Sequence, residues 1–320
     1  MKNAWKALGK GALALLILLI LFVLAVFVCN RIMLKKEEPL LHKPLGQMVE
    51  VDGHQMCVYT EGAGEHTLVF LSGWGTASPV LDFKSLYSLL SDEYQIVVVE
   101  KFGYGFSDTV DTERSFDTIL RQDREALAKA GITGPFVLCP HSLSGLEAIL
   151  WAQKYPGEVE AILSLDMTLP NVGEIIDIDR ASVERGIRHN KLLRVLGMEI
   201  GFIRIPFIRD HFSDPFTWLT EEETALYRAI NCKKCLNDTV LREHLAIPDV
   251  IKEINSAPKP DVPTLLILST ASGWEDLPEA YASGLTNATL VWLDCGHYVH
   301  HFEPERISME MRAFMEALNR

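Results

Sequence analysis

Apolar residues along this chain fall into short continuous runs that alternate with longer amphipathic stretches. Eight of the runs are rich in Val, Ile and Leu, and Gly, Pro or Asp bound them, which is typical of β-strands. Stretches between them, such as Phe116–Ala130, Leu143–Lys154 and Pro304–Leu318, predict helices. Such alternation predicts an α/β fold with a doubly wound, mostly parallel, eight-stranded sheet. The predicted strands are Met48–Val51, Met56–Thr60, Thr67–Leu71, Ile96–Val99, Phe136–Cys139, Ala161–Leu165, Thr264–Leu268 and Thr289–Leu293.

One interval interrupts the alternation. Between Pro170 and Pro260 there is no convincing strand pattern, whereas Arg188–Arg209 and Leu219–Ile254 carry apolar stripes at helical spacing. We interpret this interval as a helical cap inserted between two strands of the sheet. The apolar stripes support a lid but do not indicate what the lid covers.

The N-terminal region contains an uncharged run of 19 residues, Gly11–Cys29. As a helix it spans roughly 28 Å, close to the thickness of the hydrocarbon core of a bilayer. A cleaved signal peptide is disfavoured because the run is long and Val26–Cys29 offers no small-residue cleavage site. A buried helix is disfavoured by the cations on both sides of the run. We expect an uncleaved, single-pass membrane anchor.

Basic residues flank both ends of this run in equal number, so the orientation is nearly balanced. The free amino terminus, together with Glu37 and Glu38 beyond the run, favours a cytoplasmic N-terminus and an extracytoplasmic body. Pro39 and Pro44 mark a tether. The predicted divisions are an anchor at 1–30, a tether at 31–46, a core at 47–169 and 259–320, and a cap at 170–258.

Composition and charge narrow the possible functions. Hydrophobic residues make up 48% of the 320 positions and charged residues 23%, which excludes a disordered chain. The net charge is −13, yet residues 1–36 hold six cations and no acid, so the remainder carries −19. A body this acidic argues against a nucleic-acid partner and disfavours a polyanionic substrate.

Six cysteines occur at irregular spacing, and only Cys232 and Cys235 form a C-x-x-C pair. No second pair or nearby histidine completes a zinc site. We interpret the two as helical cysteines, with a local disulfide as the alternative if the body is exported. Neither a metal nor a cofactor is expected.

The segment Phe136–Ile149 has the pattern that most directly indicates a catalytic nucleophile. An apolar strand ends, Ser142 sits in a tight turn, and a helix starts at once, as in the G-x-S-x-G nucleophile elbow. Pro140 and Ser144 stand where that pattern has glycines. An ordinary turn in which Ser142 caps the helix is the alternative.

A serine hydroxyl is a weak nucleophile until a base removes its proton. Near the C-terminus His297 follows Gly296 in a loop between a strand and a helix, and nucleophile-then-histidine is the order of an elbow-type triad. His300 and His301 are rival candidates for the base. The three histidines are weak evidence for a metal site, because no paired carboxylate or cysteine pattern accompanies them.

The loop after the third strand, Phe70–Thr76, lies where an oxyanion hole is needed. Gly73 allows close approach of the backbone, and the N–H of Trp74 is a candidate donor. The N–H of Leu143, the residue after the nucleophile, is the second. Two such donors stabilise a tetrahedral oxyanion.

These motifs together resemble the α/β-hydrolase superfamily over about residues 47–320. The turn Glu100–Asp108 resembles the family's acid-x-x-G-x-G-x-S turn, and all four motifs occur in the family's order. The resemblance implies hydrolysis of an ester, amide or thioester without a cofactor. Some members of the family catalyse other reactions or none.

The resemblance also implies a carboxylate that orients His297. Most members place it in the loop after the strand that follows the cap, but here the expected position carries Ser272, and Glu275 and Asp276 follow as the first turn of a helix. The other family position is the end of the strand after the elbow helix, where Asp166 stands. Asp166 is our first choice, and Glu275 or Asp276 remains the alternative.

The sequence therefore predicts a membrane-anchored serine hydrolase acting on a small hydrophobic acyl substrate. Ser142 is the expected nucleophile, His297 the base and Asp166 the acid, with Trp74 and Leu143 as oxyanion donors. A catalytically silent binding module and an acyltransferase are the alternatives. Epoxide and haloalkane hydrolysis through an aspartate nucleophile are disfavoured because the elbow residue is serine.

Overall fold

The computed structural model describes residues 2–174, 179–197, 216–272 and 276–318. Its centre is one eight-stranded sheet in the order β1-β2-β4-β3-β5-β6-β7-β8. β2 runs antiparallel to both of its neighbours, and the pairs from β4–β3 to β7–β8 are parallel. The strands are β1 (Gln47–Val51), β2 (His54–Glu61), β3 (Thr67–Leu71), β4 (Gln95–Glu100), β5 (Phe136–Pro140), β6 (Val159–Leu165), β7 (Thr264–Ser269) and β8 (Ala288–Leu293).

Helices cover both faces of the sheet. The helices outside the cap are α1 (Lys2–Glu37), α2 (Pro79–Asp82), α3 (Lys84–Tyr87), α4 (Phe116–Lys129), α5 (Ser144–Lys154), α10 (Asp276–Ala282), α11 (Val299–Phe302) and α12 (Pro304–Leu318). Between β6 and β7 lie α6 (Arg180–Leu196), α7 (Glu221–Lys234), α8 (Asp238–Glu243) and α9 (Ile247–Asn255). The predicted fold class is confirmed, and the described part of the interval between β6 and β7 is helical.

The strands could be predicted from apolar runs in the sequence because they are buried. All five residues of β5 are buried, because helices cover the sheet on both sides. Alternate residues face opposite directions: Leu138 joins the cluster that contains α4 and α5, while Val137 and Cys139 join the cluster that contains α3 and α12. The carboxyl ends of the parallel strands thus lie along one edge of a sheet that helices cover on both faces.

Local chemistry sets where several helices begin. Ser115 caps α4, since its side chain accepts a hydrogen bond from the N–H of Thr118. Thr220 and Glu223 form a capping box at the start of α7, each side chain bonding the backbone of the other. These N-terminal caps fix the first residues of α4, which packs against the core, and of α7, which lies in the helical insertion.

The N-terminal helix differs from the expected boundary. α1 continues to Glu37 and a 3₁₀ helix follows at Glu38–His42, so much of the predicted tether is helical. Residues 31–37 are good helix formers, and the regular helix stops just before Pro39, which removes a backbone donor. The apolar part of α1 is exposed, and the helix is long and apolar enough to cross a membrane. Its last turns contact the helical insertion, where Asn30 lies against Gly197.

All six cysteines lie within the described residues. Cys232 lies in α7, and Cys235 ends that helix as its C-cap. Of the two cysteines interpreted as helical, Cys232 is therefore helical, and Cys235 follows the last helical residue.

Candidate active site

Ser142 occupies a sharp turn between β5 and α5. Its φ of +52° lies in the left-handed region, which a residue with a Cβ adopts only when its surroundings impose it. The carbonyl of Ser142 accepts hydrogen bonds from the N–H groups of Thr168 at 2.7 Å and Gly145 at 3.0 Å. Gly145 is required here, since a Cβ would lie 2.4 Å from the carbonyl oxygen of Thr168. The turn thus places a residue of positive φ between the end of a strand and the start of a helix, which is the local geometry expected of a nucleophile elbow.

Strand β3 accommodates Pro140 and Ser144, the two residues that stand where the elbow pattern has glycines. Ser144 is buried, and its hydroxyl donates to the carbonyl of Leu71 at 2.6 Å. Pro140 lacks an N–H, and the N–H of His141 donates to the same carbonyl at 3.0 Å. The turn therefore keeps its hydrogen bonds to β3 even though a serine and a proline replace the two glycines of the pattern.

The structure brings His297 and Asp166 to Ser142. Nε2 of His297 lies 2.9 Å from Oγ of Ser142, and Nδ1 lies 2.6 Å from Oδ2 of Asp166. A carboxylate only accepts, so Nδ1 carries the hydrogen and Nε2 presents a lone pair to the serine hydroxyl. This is the geometry required for His297 to act as a base.

Asp166 is held by its own set of donors. It follows β6 with a φ of +48° and is 8% exposed. The N–H of Ser269 donates to Oδ1 at 2.9 Å, and the hydroxyl of Ser272 donates to Oδ2 at 2.5 Å. With Nδ1 of His297, three donors surround a nearly buried carboxylate and fix its orientation.

Of the two alternative acids, the structure describes Asp276, which does not occupy this position. Asp276 is exposed at the start of α10, and Glu275 lies outside the described residues. Ser272, the residue at the family's usual acid position, donates instead to the acid on the neighbouring strand. The sequence reasoning did not assign this role to Ser272, although its place in that loop was the available signal.

The candidate oxyanion loop is packed directly onto the elbow. A Cβ at Gly73 would lie 2.8 Å from Cβ of Ser142, so only glycine permits this approach. Trp74 and Leu143 both line the cavity above Ser142. Within the described part of the chain, neither backbone N–H donates to another backbone carbonyl. Both donors are thus available to a bound oxyanion.

Trp74 also connects this loop to the helical insertion. Its indole N–H donates to the carbonyl of Val240 at 2.8 Å. Its ring meets His244 edge-to-face, with 4.8 Å between centroids. Burial lowers the pKa of His244, which is therefore neutral at pH 7. The cap thus helps to position the loop that carries a candidate donor.

A cavity of about 320 Å³ opens over Ser142. Ser142, His297 and Asp166 line it, and the helical insertion and the loops around it supply mainly apolar residues. The size lies near the lower end of the range for small-molecule sites, about 300–1,000 Å³. The apolar lining residues are Leu143, Met167, Leu169, Val172, Ile247, Ile251, Leu268, Leu277, Pro278 and Trp292.

The rival histidines face a different partner. Nε2 of His300 and Nε2 of His301 lie 3.0 Å and 3.2 Å from the two oxygens of Asp82. Neither makes a hydrogen bond with Ser142 among the described residues. The base candidate in contact with the serine is therefore His297.

Comparison with known proteins gives one relative along almost the whole chain. The uncharacterized protein YbdG of Bacillus subtilis (strain 168) is 37% identical over 333 residues, covering 98% of this chain and 99% of YbdG. No protein-family model matches the chain. The relative shares the full length, including the N-terminal region.

Solved structures agree on the fold. A putative α/β hydrolase from Nostoc sp. PCC 7120, ALR0039, superposes with a TM-score of 0.66 at 16% identity and covers 84% of this chain and 97% of its own. A mutant of a putative epoxide hydrolase from Pseudomonas aeruginosa superposes with a TM-score of 0.65 at 16% identity, covering 85% and 96%. At these identities the likeness concerns the fold.

Proposed function

We propose that this chain, which belongs to the same family as YbdG and has an α/β-hydrolase fold, is a serine hydrolase that cleaves an ester-like acyl bond. The observation that carries the proposal is the continuous hydrogen-bonded series from Oγ of Ser142 through His297 to Asp166. The strained elbow, the open oxyanion donors and the apolar cavity support it. The nucleophile position holds serine, which favours attack on an acyl carbon.

In the proposed mechanism Oγ of Ser142 attacks the carbonyl carbon while Nε2 of His297 takes the hydroxyl proton. The negative charge that develops on the carbonyl oxygen is stabilised by the N–H groups of Trp74 and Leu143. Asp166 accepts from Nδ1 and stabilises the imidazolium. The bond to the leaving group then breaks, and Nε2 returns its proton to the departing alkoxide.

The acyl-enzyme is then hydrolysed by the same groups. Water takes the place of the alcohol, Nε2 of His297 removes one of its protons, and the hydroxide adds to the acyl carbon. Collapse of the second tetrahedral intermediate breaks the bond to Oγ and returns the proton to Ser142. The products are a carboxylic acid, an alcohol and the unchanged enzyme.

The cavity supports a small hydrophobic acyl compound as the substrate. Its walls are mainly apolar, and its volume of about 320 Å³ suits a short or medium acyl group. The −19 charge of residues 37–320 opposes a polyanionic ligand. Nothing in this proposal requires a metal or a cofactor.

A series of p-nitrophenyl esters of increasing acyl length tests the proposal. We expect hydrolysis with a preference for short to medium chains, abolished in Ser142→Ala and retained in Ser283→Ala, which alters an exposed serine. The absence of hydrolysis at every length by folded protein would favour the silent binding module. Ester exchange onto added alcohols that outpaces release of acid would favour an acyltransferase.

The proposal also assigns α1 as an uncleaved single-pass anchor with the body outside the cytoplasm. The support is the exposed apolar surface of the helix and the uncharged run of 19 residues. We expect the protein to resist carbonate extraction from membranes and to be digested by protease added to intact spheroplasts. Release by carbonate, or a mature N-terminus beyond residue 29, would contradict the assignment.

A further inference from the structure

A buried carboxylate lies behind the active site, between two histidines. Asp82, the last residue of α2, is 1% exposed. Nε2 of His300 lies 3.0 Å from its Oδ2 in hydrogen-bonding geometry. Nε2 of His301 lies 3.2 Å from its Oδ1, at ion-pair distance but without the alignment of a hydrogen bond. The carboxylate is thus flanked on both oxygens.

The charge on Asp82 explains why two histidines are needed. Burial alone would raise the pKa of Asp82, but its interactions with His300 and His301 hold that pKa well below its usual range. A buried carboxylate without partners is strongly destabilising. The two imidazoles therefore compensate an ion that water cannot reach, and loss of either side of the cluster leaves an unpaired polar group.

The ligand atoms of these three residues lie within 4.8 Å of one another, which also suits a metal site. The two nitrogens, however, face different oxygens of the carboxylate. The two imidazole nitrogens already face the two carboxylate oxygens, and that of His300 does so in hydrogen-bonding geometry. We therefore interpret the cluster as a link between protein segments.

The segments that it links both belong to the candidate site. The oxyanion loop runs from Ser72 through Trp74 and leads within a few residues into α2, which ends at Asp82. The two histidines lie in α11, which begins two residues after His297. A second bond joins the same segments, since the hydroxyl of Ser85 donates to the carbonyl of His300 at 2.6 Å.

His141 fills the space between this cluster and the triad. It is fully buried, and its ring lies 4.8 Å from that of His297 and 4.9 Å from that of His300. Nε2 lies 3.3 Å from the carbonyl of His297, which can only accept, so Nε2 carries the hydrogen. Burial and the neighbouring histidines lower the pKa of His141 well below its usual value, so the ring is neutral.

His141 also touches the oxyanion loop, because a Cβ at Gly73 would lie 2.9 Å from its Nδ1. One neutral imidazole thus contacts the loop of the oxyanion donor and the backbone of the catalytic base candidate. It immediately precedes the candidate nucleophile in the chain.

We propose that Asp82 is a positioning residue, which ties the oxyanion loop to the histidine loop through His300 and His301 and thereby holds His297 over Ser142. The inference rests on the proposed function, because it assigns Asp82 a role in that reaction. Asp82 touches no substrate in this account. Its effect is on the placement of groups that do.

The test measures covalent labelling of the full chain in detergent by a fluorophosphonate, with kinact and KI determined separately. In Asp82→Asn an amide replaces the carboxylate and cannot accept hydrogen bonds from both imidazoles. We expect kinact to fall about 10²-fold, because a displacement of the reacting groups by about 1 Å typically lowers the rate by that factor. KI should not change. Glu160→Gln is the matched control, because it alters an acid–histidine pair with His66 on the amino-end side of the sheet.

A second pair of variants covers the case in which Asp82→Asn does not fold. In His300→Gln the amide keeps a donor toward the carboxylate and should restore most of kinact, whereas His300→Leu removes it and should not. Unchanged kinact in folded Asp82→Asn or His300→Leu would overturn the proposal. Stoichiometric zinc in the purified wild type that is lost in Asp82→Asn would also overturn it. Failure of the wild type to label at all would instead count against the proposed function.

Discussion

Replacement of Gly73 by alanine is a direct probe of how closely the oxyanion loop must approach the nucleophile. The backbone φ of Gly73 lies outside the left-handed range, so alanine meets no conformational penalty there. The added Cβ would lie 2.8 Å from Cβ of Ser142 and 2.9 Å from Nδ1 of His141. The perturbation is therefore purely steric and is confined to the candidate site.

The size of the displacement follows from these contacts. Ordinary contacts of a Cβ begin at 3.4 Å, so the loop must move away from Ser142 by about 0.6 Å. The N–H of Trp74 moves with it, away from the position of the oxyanion. Loss of one oxyanion donor typically costs about 10²–10³ in rate. We expect the reaction rate of Gly73→Ala to fall by a large part of this factor.

The assay is the steady-state hydrolysis of a p-nitrophenyl ester together with the rate of fluorophosphonate labelling. Both rates should fall in Gly73→Ala, whereas KM should change little because the apolar walls remain in place. Gly157→Ala is the matched control, since a Cβ at Gly157 meets nothing within 4 Å. Full activity in a folded Gly73→Ala protein would refute the assignment of this loop as the oxyanion hole.

Further predictions concern the acid and two buried charges. Asp166→Asn should lower kcat by about 10⁴, because the wrong tautomer of His297 is then favoured, whereas Asp276→Asn should retain wild-type kcat. Burial raises the pKa of Glu100 from 4.5 to about 7. The unfolded chain therefore ionises first, so the free energy of unfolding falls as the pH rises from about 4.5 to 7 and the loss is complete above that range. Glu100→Gln should therefore raise the free energy of unfolding in urea by at most about 3 kcal/mol above pH 7, with no gain near pH 4. Lys101→Met leaves the buried carboxylate of Glu147, 3.3 Å away, without its cation, and should cost about 3–5 kcal/mol of unfolding free energy.

The sheet was readable from the sequence because its strands are covered on both faces. Runs such as 136–139 are apolar at every position, and the observed strand Phe136–Pro140 extends the predicted one by a single residue. The elbow was readable for a related reason, since strand, serine and helix are contiguous in the chain. Local sequence patterns were therefore sufficient to predict the fold and the candidate nucleophile.

The end of α1 shows where a local pattern misleads. The uncharged run stops at Cys29, which suggested that the helix ends there, yet the backbone stays helical through Glu37. Charge content marks where a membrane-spanning segment ends, whereas helix formers and Pro39 determine where the helix ends. The two boundaries differ by about two turns of helix.

The acid and the buried cluster depend on contacts between distant parts of the chain. Asp166 and His297 are 131 positions apart and meet because β6, β7 and β8 are neighbours in the sheet. Asp82 and His300 are 218 positions apart. Nothing near Asp82 in the sequence marks it as the partner of two histidines, so only the packing of α2 against α11 reveals the cluster.

The most direct test of the account is the mass of the full-length protein after reaction with a fluorophosphonate in detergent. We predict one adduct per chain, mapped by peptide sequencing to Ser142 and absent from folded Ser142→Ala. A folded wild-type protein that acquires no adduct, or an adduct of equal yield in Ser142→Ala, would contradict the central claim that Ser142 is an activated nucleophile.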